Sequence, residues 1–259
     1  MSNLKMPVLF IGHGSPMNIV YDNTYTRSLQ TISASLPRPE TILVVSAHWL
    51  TQGIFVCSAD KPEQIYDFYG FPDELYKVQY HPPGAPAIAK SIVHEIRSEN
   101  IQVDTEWGID HALWAVLLYM YPKADIPVLE MSLDVTMNEQ EHYTLAKKLS
   151  FLRKQNVLII GSGNIVHNLH HMEYKVEAQP FPWAVEFDKY IKDAILQKDI
   201  DRLLHYKEMS PAGKIAVPTN DHYLPMLYSA ALREEGEQID FFHESIQNAS
   251  ISMRCFIVQ

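Results

Sequence analysis

Five short runs in this chain are apolar and β-branched at nearly every position, and they constrain its fold more than any other feature. They are PVLFIG (7–12), TILVVSA (41–47), IFVCS (54–58), PVLEMSL (127–133) and VLIIG (157–161). A strand with one wet face alternates apolar and polar residues. A run that does not alternate is buried on both faces, as in a parallel sheet covered by helices. The stretches between the runs supply the helices. Amphipathic spacing predicts them over 24–36, 86–99, 110–121, 138–155, 183–198 and 222–235. Pro86 suits a first helical turn. Asn138 suits an N-cap, with Glu141 three residues on.

Strands alternating with helices predict an α/β fold, a mostly parallel sheet with helices on both faces. The C-terminal part breaks the alternation. IDFFHES (239–245) and ISMRCFIV (251–258) read as two strands joined by a short turn, an antiparallel pair at the sheet edge. No internal repeat or Gly/Ser-rich linker interrupts the chain, so one domain over 1–259 is expected. The segment 60–84 is dense in Pro, Tyr and Phe and weak in periodicity. Long ordered loops of this kind often carry function.

With 47% hydrophobic residues, a packed core is expected rather than disorder. The formal charge of -10 argues against binding to phosphate backbones, which needs clustered Lys and Arg. Cys57 and Cys255 lie far apart in apolar runs and read as buried free thiols, which suits a reducing compartment. The apolar part of the N-terminal stretch is too short for a signal peptide. No run of about 18 apolar residues suggests a membrane span. A cytoplasmic protein with no membrane or nucleic-acid partner is expected. The residues leave oligomeric state open.

Three runs lead into a histidine. PVLFIG ends at Gly12-His13-Gly14, LVVSA ends at His48, and VLIIG is followed after one turn by His167. In a parallel sheet the carboxyl ends of the strands share one edge, where ligands bind. Two further histidines follow aspartates at predicted helix starts, Asp110-His111 and Asp221-His222. Those aspartates are ordinary helix caps on one reading; on the other, the histidines turn into the shared cleft. Three neutral imidazoles with an open position make a catalytic metal site, and both zinc and iron accept imidazole. A fourth histidine either closes a structural site or serves as a base, since its ordinary pKa is near 6.5. His81, His94, His142, His170, His171, His205 and His243 lack this setting and read as packing or solvent-facing. Gly14-Ser15-Pro16-Met17-Asn18 lacks the second glycine of a hydrolase nucleophile elbow.

GHGSPMN (12–18), VVSAHW (44–49), WGIDHALWAVLLYMYP (107–122), SGNIVHNLHH (162–171) and NDHYLPMLY (220–228) together resemble the class III extradiol ring-cleavage dioxygenases, closest to their 4,5-DOPA branch. DFYGFP (67–72) and PPGAP (82–86) match as well. The resemblance implies one mononuclear divalent metal, Fe(II) for dioxygenase activity, with zinc the other ion the site would accept. It makes His13 and His48 the first two ligands. His222 falls where related enzymes supply a carboxylate, so Asp221 stands as the alternative third ligand. His167 matches an acid/base histidine that can also approach the metal, and His111 matches a second active-site histidine. The implied reaction inserts O₂ beside the two hydroxyls of a catechol, with His167 removing a proton and His111 returning one. The product is a muconic semialdehyde. Ser15 and Asn18 are expected to hydrogen-bond the substrate. Phe71, in the aromatic stretch 66–76, is expected to wall or cover it. A zinc hydrolase on the same ligands, or a binding protein without activity, are the competing readings.

Overall fold

The computed structural model describes residues 5–97 and 100–259. Its strands are β1 (Val8–Gly12), β2 (Thr41–Thr51), β3 (Ile54–Cys57), β4 (Ile101–Asp104), β5 (Val128–Asp134), β6 (Val157–Gly163), β7 (Ile239–His243), β8 (Ile246–Gln247), β9 (Ile251–Ser252) and β10 (Cys255–Val258). Its helices are α1 (Thr24–Ser35), α2 (Pro86–Ile96), α3 (His111–Met120), α4 (Glu139–Lys147), α5 (Pro182–Gln197), α6 (Ile200–Leu204), α7 (Tyr206–Met209), α8 (Gly213–Ala216) and α9 (Leu224–Ala231).

Eight strands form one mixed sheet in the order β4-β3-β5-β2-β6-β1-β10-β7, and β8 pairs with β9 apart from it. The central four, β5-β2-β6-β1, are parallel. β3 joins them antiparallel through β5 and carries β4 parallel to itself. On the other side β10 and β7 are each antiparallel to their neighbour.

The unbroken apolar runs are explained by this sandwich. Successive side chains of a strand point to opposite faces. Val8 and Phe10 pack under one helical layer with Ile92, Phe187 and Leu227, drawn from α2, α5 and α9. Leu9 and Ile11 pack under the other with Leu29 and Trp114, from α1 and α3. Burying one such aliphatic side chain stabilises the fold by roughly 1.5–3 kcal/mol, so neither face of the central strands can turn to water.

Several boundaries differ from the sequence expectation. β2 runs on to Thr51, so His48 lies within the strand. The helix expected over 138–155 splits into α4 and a 3-10 stretch, Lys148–Gln155. Its start holds: Asn138 accepts from Glu141 N and its own N–H donates to the Glu141 carboxylate. The last expected helix contracts to α9, leaving His222 in the turn before it. β7 and β10 do pair antiparallel at the edge, but no short turn joins them. The chain between them leaves the sheet for the β8–β9 hairpin, where Ile251 and Ser252 belong. β4 and α6 to α8 were not anticipated; each spans only four or five residues, too few for a periodicity to show. The end of the helix expected over 86–99 includes residues 98 and 99, which lie outside the described residues, as do residues 1–4 of the N-terminal stretch. Both cysteines are buried and free. Among the described residues, no helix is long and apolar enough to cross a membrane.

Candidate active site

All five singled-out histidines meet at the carboxyl edge of the parallel strands. His13 follows β1, His48 belongs to the last part of β2, and His167 comes four residues after β6. His111 opens α3, where the Asp110 side chain caps the helix by accepting from Ala112 N. His222 reaches the edge because β6 carries glycine there. A Cβ on Gly163 would lie 2.2 Å from the His222 carbonyl oxygen. That close approach lets Asn164 N–H donate to the same carbonyl at 2.7 Å. Gly14 makes the turn after His13 with φ +65°, a left-handed conformation that favours glycine.

The ring nitrogens are sorted by their partners. His48 Nε2 lies 3.1 Å from His13 Nε2. His13 Nδ1 lies 3.1 Å from Ser162 Oγ, which spends its own proton on the Ala112 carbonyl at 2.7 Å. Ser162 therefore accepts, and His13 carries its hydrogen on Nδ1. His48 Nδ1 donates to Asp67 Oδ2 at 3.0 Å, and His222 Nδ1 donates to Asp221 Oδ2. All three rings are thereby held with Nδ1–H outward and the Nε2 lone pair inward. This is how metal-binding imidazoles are usually oriented by their outer partners. His13, His48 and His222 each offer a ligand atom within 4.8 Å of the others. Three lone pairs converging on one point repel each other, and a divalent cation resolves that repulsion. The donor set therefore fits such an ion; Asp221, on the outer nitrogen of His222, also forms a candidate group with His167 and His222.

Asp67, which the sequence reading did not single out, ties the site together. Besides His48, it accepts from His111 Nδ1 at 2.8 Å and from His111 N at 2.9 Å. It is the first residue of DFYGFP, so the aromatic loop is anchored on the histidine cluster. Its position in a long loop, far from any strand end, gave no local signal. Ser162, between two glycines just past the apolar run 157–161, was not singled out either. His167 stacks face to face on His222, ring centroids 3.6 Å apart.

Burial, then the neighbouring histidines, pushes His13 and His167 well below the ordinary imidazole value. Burial also lowers His111 and His222, each against the pull of its aspartate. His48 goes the other way. Burial would lower it, but the Asp67 hydrogen bond and the carboxylates of Asp110, Asp67 and Asp221 together outweigh that. Asp67 and Asp221 are partly buried, which would raise them, yet their histidine partners hold both well below the usual carboxylate range. Neutral rings are the state in which imidazole binds a metal.

The histidines floor a cavity of about 640 Å³. Ser15 and Phe71 line it. Ser15 Oγ also accepts from Met17 N at 3.3 Å. Phe71 packs edge-on against Phe68, which packs edge-on against His111. Asn18 lies elsewhere. It is buried beneath the first loop, and its amide exchanges hydrogen bonds with Gln247 at 3.0 and 3.2 Å while accepting from Asn23. Its donors and acceptor are committed to holding the loop, so the expected substrate contact gives way to a structural one. The remaining histidines stay out of the cluster. His142 is buried with both ring nitrogens satisfied, by Tyr228 Oη and the Asp134 carbonyl.

Residues 7–253 match the family described as the catalytic LigB subunit of aromatic ring-opening dioxygenase, and the chain belongs to that family. It is 41% identical over 257 residues to 4,5-DOPA dioxygenase extradiol of Escherichia coli (strain K12), covering 98% of this chain and 94% of the relative. It is 32% identical over 243 residues to 4,5-DOPA dioxygenase extradiol of Mirabilis jalapa, covering 91% and 90%. A crystal structure of an uncharacterized protein from Escherichia coli K12 superposes with a TM-score of 0.86 at 36% identity, covering 98% of this chain and all of that one. This kinship identifies an extradiol dioxygenase and sets aside the reading as an inactive binding protein.

Proposed function

We propose that the chain opens a catechol ring beside its two hydroxyls, at one divalent metal ion held by Nε2 of His13, His48 and His222. The observation that carries this is the orientation of those rings, each pinned at Nδ1 by Ser162, Asp67 or Asp221. Fe(II), when bound, would hold catechol and O₂ together and pass electrons between them, a role that redox-inert zinc cannot fill.

The protein's own groups handle position and protons. His167, kept neutral by burial and by His222, takes the proton from a catechol hydroxyl. A more anionic ring gives up electrons more readily. His111 has Nδ1 spent on Asp67, so its Nε2 is the working atom. A proton that His111 Nε2 takes up from the substrate is steadied by the Asp67 carboxylate and returned as the ring opens. Ser15, Phe68 and Phe71 bound the substrate space, and the aromatic wall keeps water from the reacting ring.

The names of the relatives support a DOPA-type catechol. The product would be a muconic semialdehyde, which with DOPA closes spontaneously to a second ring. The test strips the protein of metal and reloads it anaerobically with Fe(II) or Zn²⁺. O₂ uptake is then followed with DOPA, protocatechuate and catechol. Uptake with Fe(II) alone, with a yellow product, is expected. A fully loaded Fe(II) protein that consumes no O₂ with any catechol would overturn the proposal.

A further inference from the structure

We propose that Tyr69 and Tyr174 select the substrate by holding the substituent of its catechol ring at the mouth of the cavity. The proposal rests on the ring-opening reading and names two residues that read the substrate there. It starts from surface left in water. Tyr69 exposes 92% of its surface and Tyr174 97%, while the next large apolar side chain among the described residues, Val135, exposes 59%. The two tyrosines come from separate segments, yet both line the cavity over the histidines. Exposed apolar residues scattered singly need no explanation, but large ones gathered at the rim of a polar floor mark a binding surface.

Each ring is free while the chain beside it is held. Before Tyr69, Asp67 accepts from His48 and His111, and Phe68 packs edge-on against His111 at 5.5 Å. After it, Phe71 packs on Phe68. Around Tyr174, Glu173 N donates to the Asn248 carbonyl at 3.0 Å, and the Val176 carbonyl accepts from Asn248 N at 2.8 Å. Both rings already line the cavity, so closing on a ligand takes a turn about side-chain bonds, a fast motion for exposed residues. The cavity, about 640 Å³, exceeds what one ring needs. A catechol on the histidine floor brings its substituent up toward the rim, where each tyrosine ring can leave water against it. Tyrosine suits a substituent of mixed character. Its ring covers the methylene next to the catechol, and its hydroxyl stays in water. The charged groups of a DOPA-type side chain keep their water at the same open rim. Unsubstituted catechol ends short of the rim and gains nothing from either ring.

The test pairs DOPA with unsubstituted catechol on the Fe(II)-loaded protein. Tyr69→Ala and Tyr174→Ala should each raise KM for DOPA about tenfold relative to KM for catechol, with kcat moving less than KM. Tyr69→Phe and Tyr174→Phe keep the ring and should restore most of the ratio. Val135→Ala, at an exposed apolar residue outside the cavity wall, should leave the ratio unchanged. A ratio unaltered in both alanine variants, or a loss equal for both substrates, overturns the proposal. Anaerobic calorimetry on Zn²⁺-loaded protein reads the same contacts without turnover. DOPA should bind more tightly than catechol, and the two alanine changes together should remove the difference. If no catechol is turned over with Fe(II) but this difference appears and depends on the two rings, the ring-opening reading fails and the tyrosines stand. If DOPA shows no preference, or its preference survives both alanines, the tyrosine assignment fails whatever the turnover.

Discussion

The two ends of the central sheet both bury charge and hydrogen-bonding groups, and they treat them in opposite ways. At the amino edge, Arg153 is almost wholly buried. Its guanidinium donates to the Met6 and Leu232 carbonyls at 2.7 and 2.8 Å and grips the Glu237 carboxylate through two nitrogens. Lys5 adds a second cation to Glu237 at 2.9 Å. Each group there meets its complement. At the carboxyl edge, the outer nitrogens of His13, His48 and His222 are just as firmly held, yet their inner nitrogens face one another. Buried polar groups in a finished fold are paired. A place where they are arranged with care and left facing each other is therefore a place built for a ligand. His142 sharpens the contrast: it is as buried as His13, but both its nitrogens are used, so it is part of the scaffold.

Removing groups from each end should break this contrast in a definite order. His13→Ala should abolish ring opening and weaken metal binding by more than about a hundredfold, beyond what loss of an outer partner causes. Metal content after dialysis and O₂ uptake would show it. Arg153→Ala should lower stability by on the order of 3 kcal/mol, because it unpairs two buried carbonyls and leaves Glu237 with Lys5 as its cation. Denaturant unfolding would report that loss, while the folded fraction keeps its kcat. Asp67→Asn should reduce metal affinity by about 10- to 100-fold in a chelator competition. It should also lower kcat more than it changes KM, since it unsettles His111 as well as His48. His142→Phe should cost roughly 1–3 kcal/mol of stability, by leaving Tyr228 Oη unpaired and removing one of the two donors to the Asp134 carbonyl, and should leave metal affinity as it was.

The smallest effect concerns acid. Burial alone would raise Glu237, but Arg153 and Lys5 outweigh it and pull the carboxyl from the ordinary 4.5 down to about 2. A group lowered on folding contributes its full stabilisation above its unfolded value and loses it as pH falls through the folded one. Stability should therefore fall as pH drops from about 4.5 to about 2. Glu237→Gln should flatten that part of the profile, as followed by unfolding at fixed denaturant.

Much of the site could be read in the chain because its histidines follow features with their own signatures. His13 and His48 stand at or near the ends of apolar runs, and His167 one turn beyond another. Parallel topology carries all three to one edge. The Asp-His pairs at predicted helix starts marked His111 and His222; Asp110 does cap α3, whereas Asp221 caps no helix and holds the His222 ring instead. Asp67 could not be read this way. It lies in a loop without periodicity, and its importance comes from two histidines, 19 residues before it and 44 after it, that only the fold brings to its carboxylate. Asn18 misled for the same reason. Its place beside His13 suggested the substrate, but Gln247, at |i−j| = 229, claims its amide.

The residues alone determined the double-faced strands, the helices that cover them and the edge where function gathers. These follow from local spacing and from the need to bury every position of the central runs. The tertiary structure decided which nitrogen of each histidine faces inward, which carboxylate fixes it, and which apolar side chains stand in water around the mouth. Those are properties of atoms brought together from distant parts of the chain, and no local pattern encodes them.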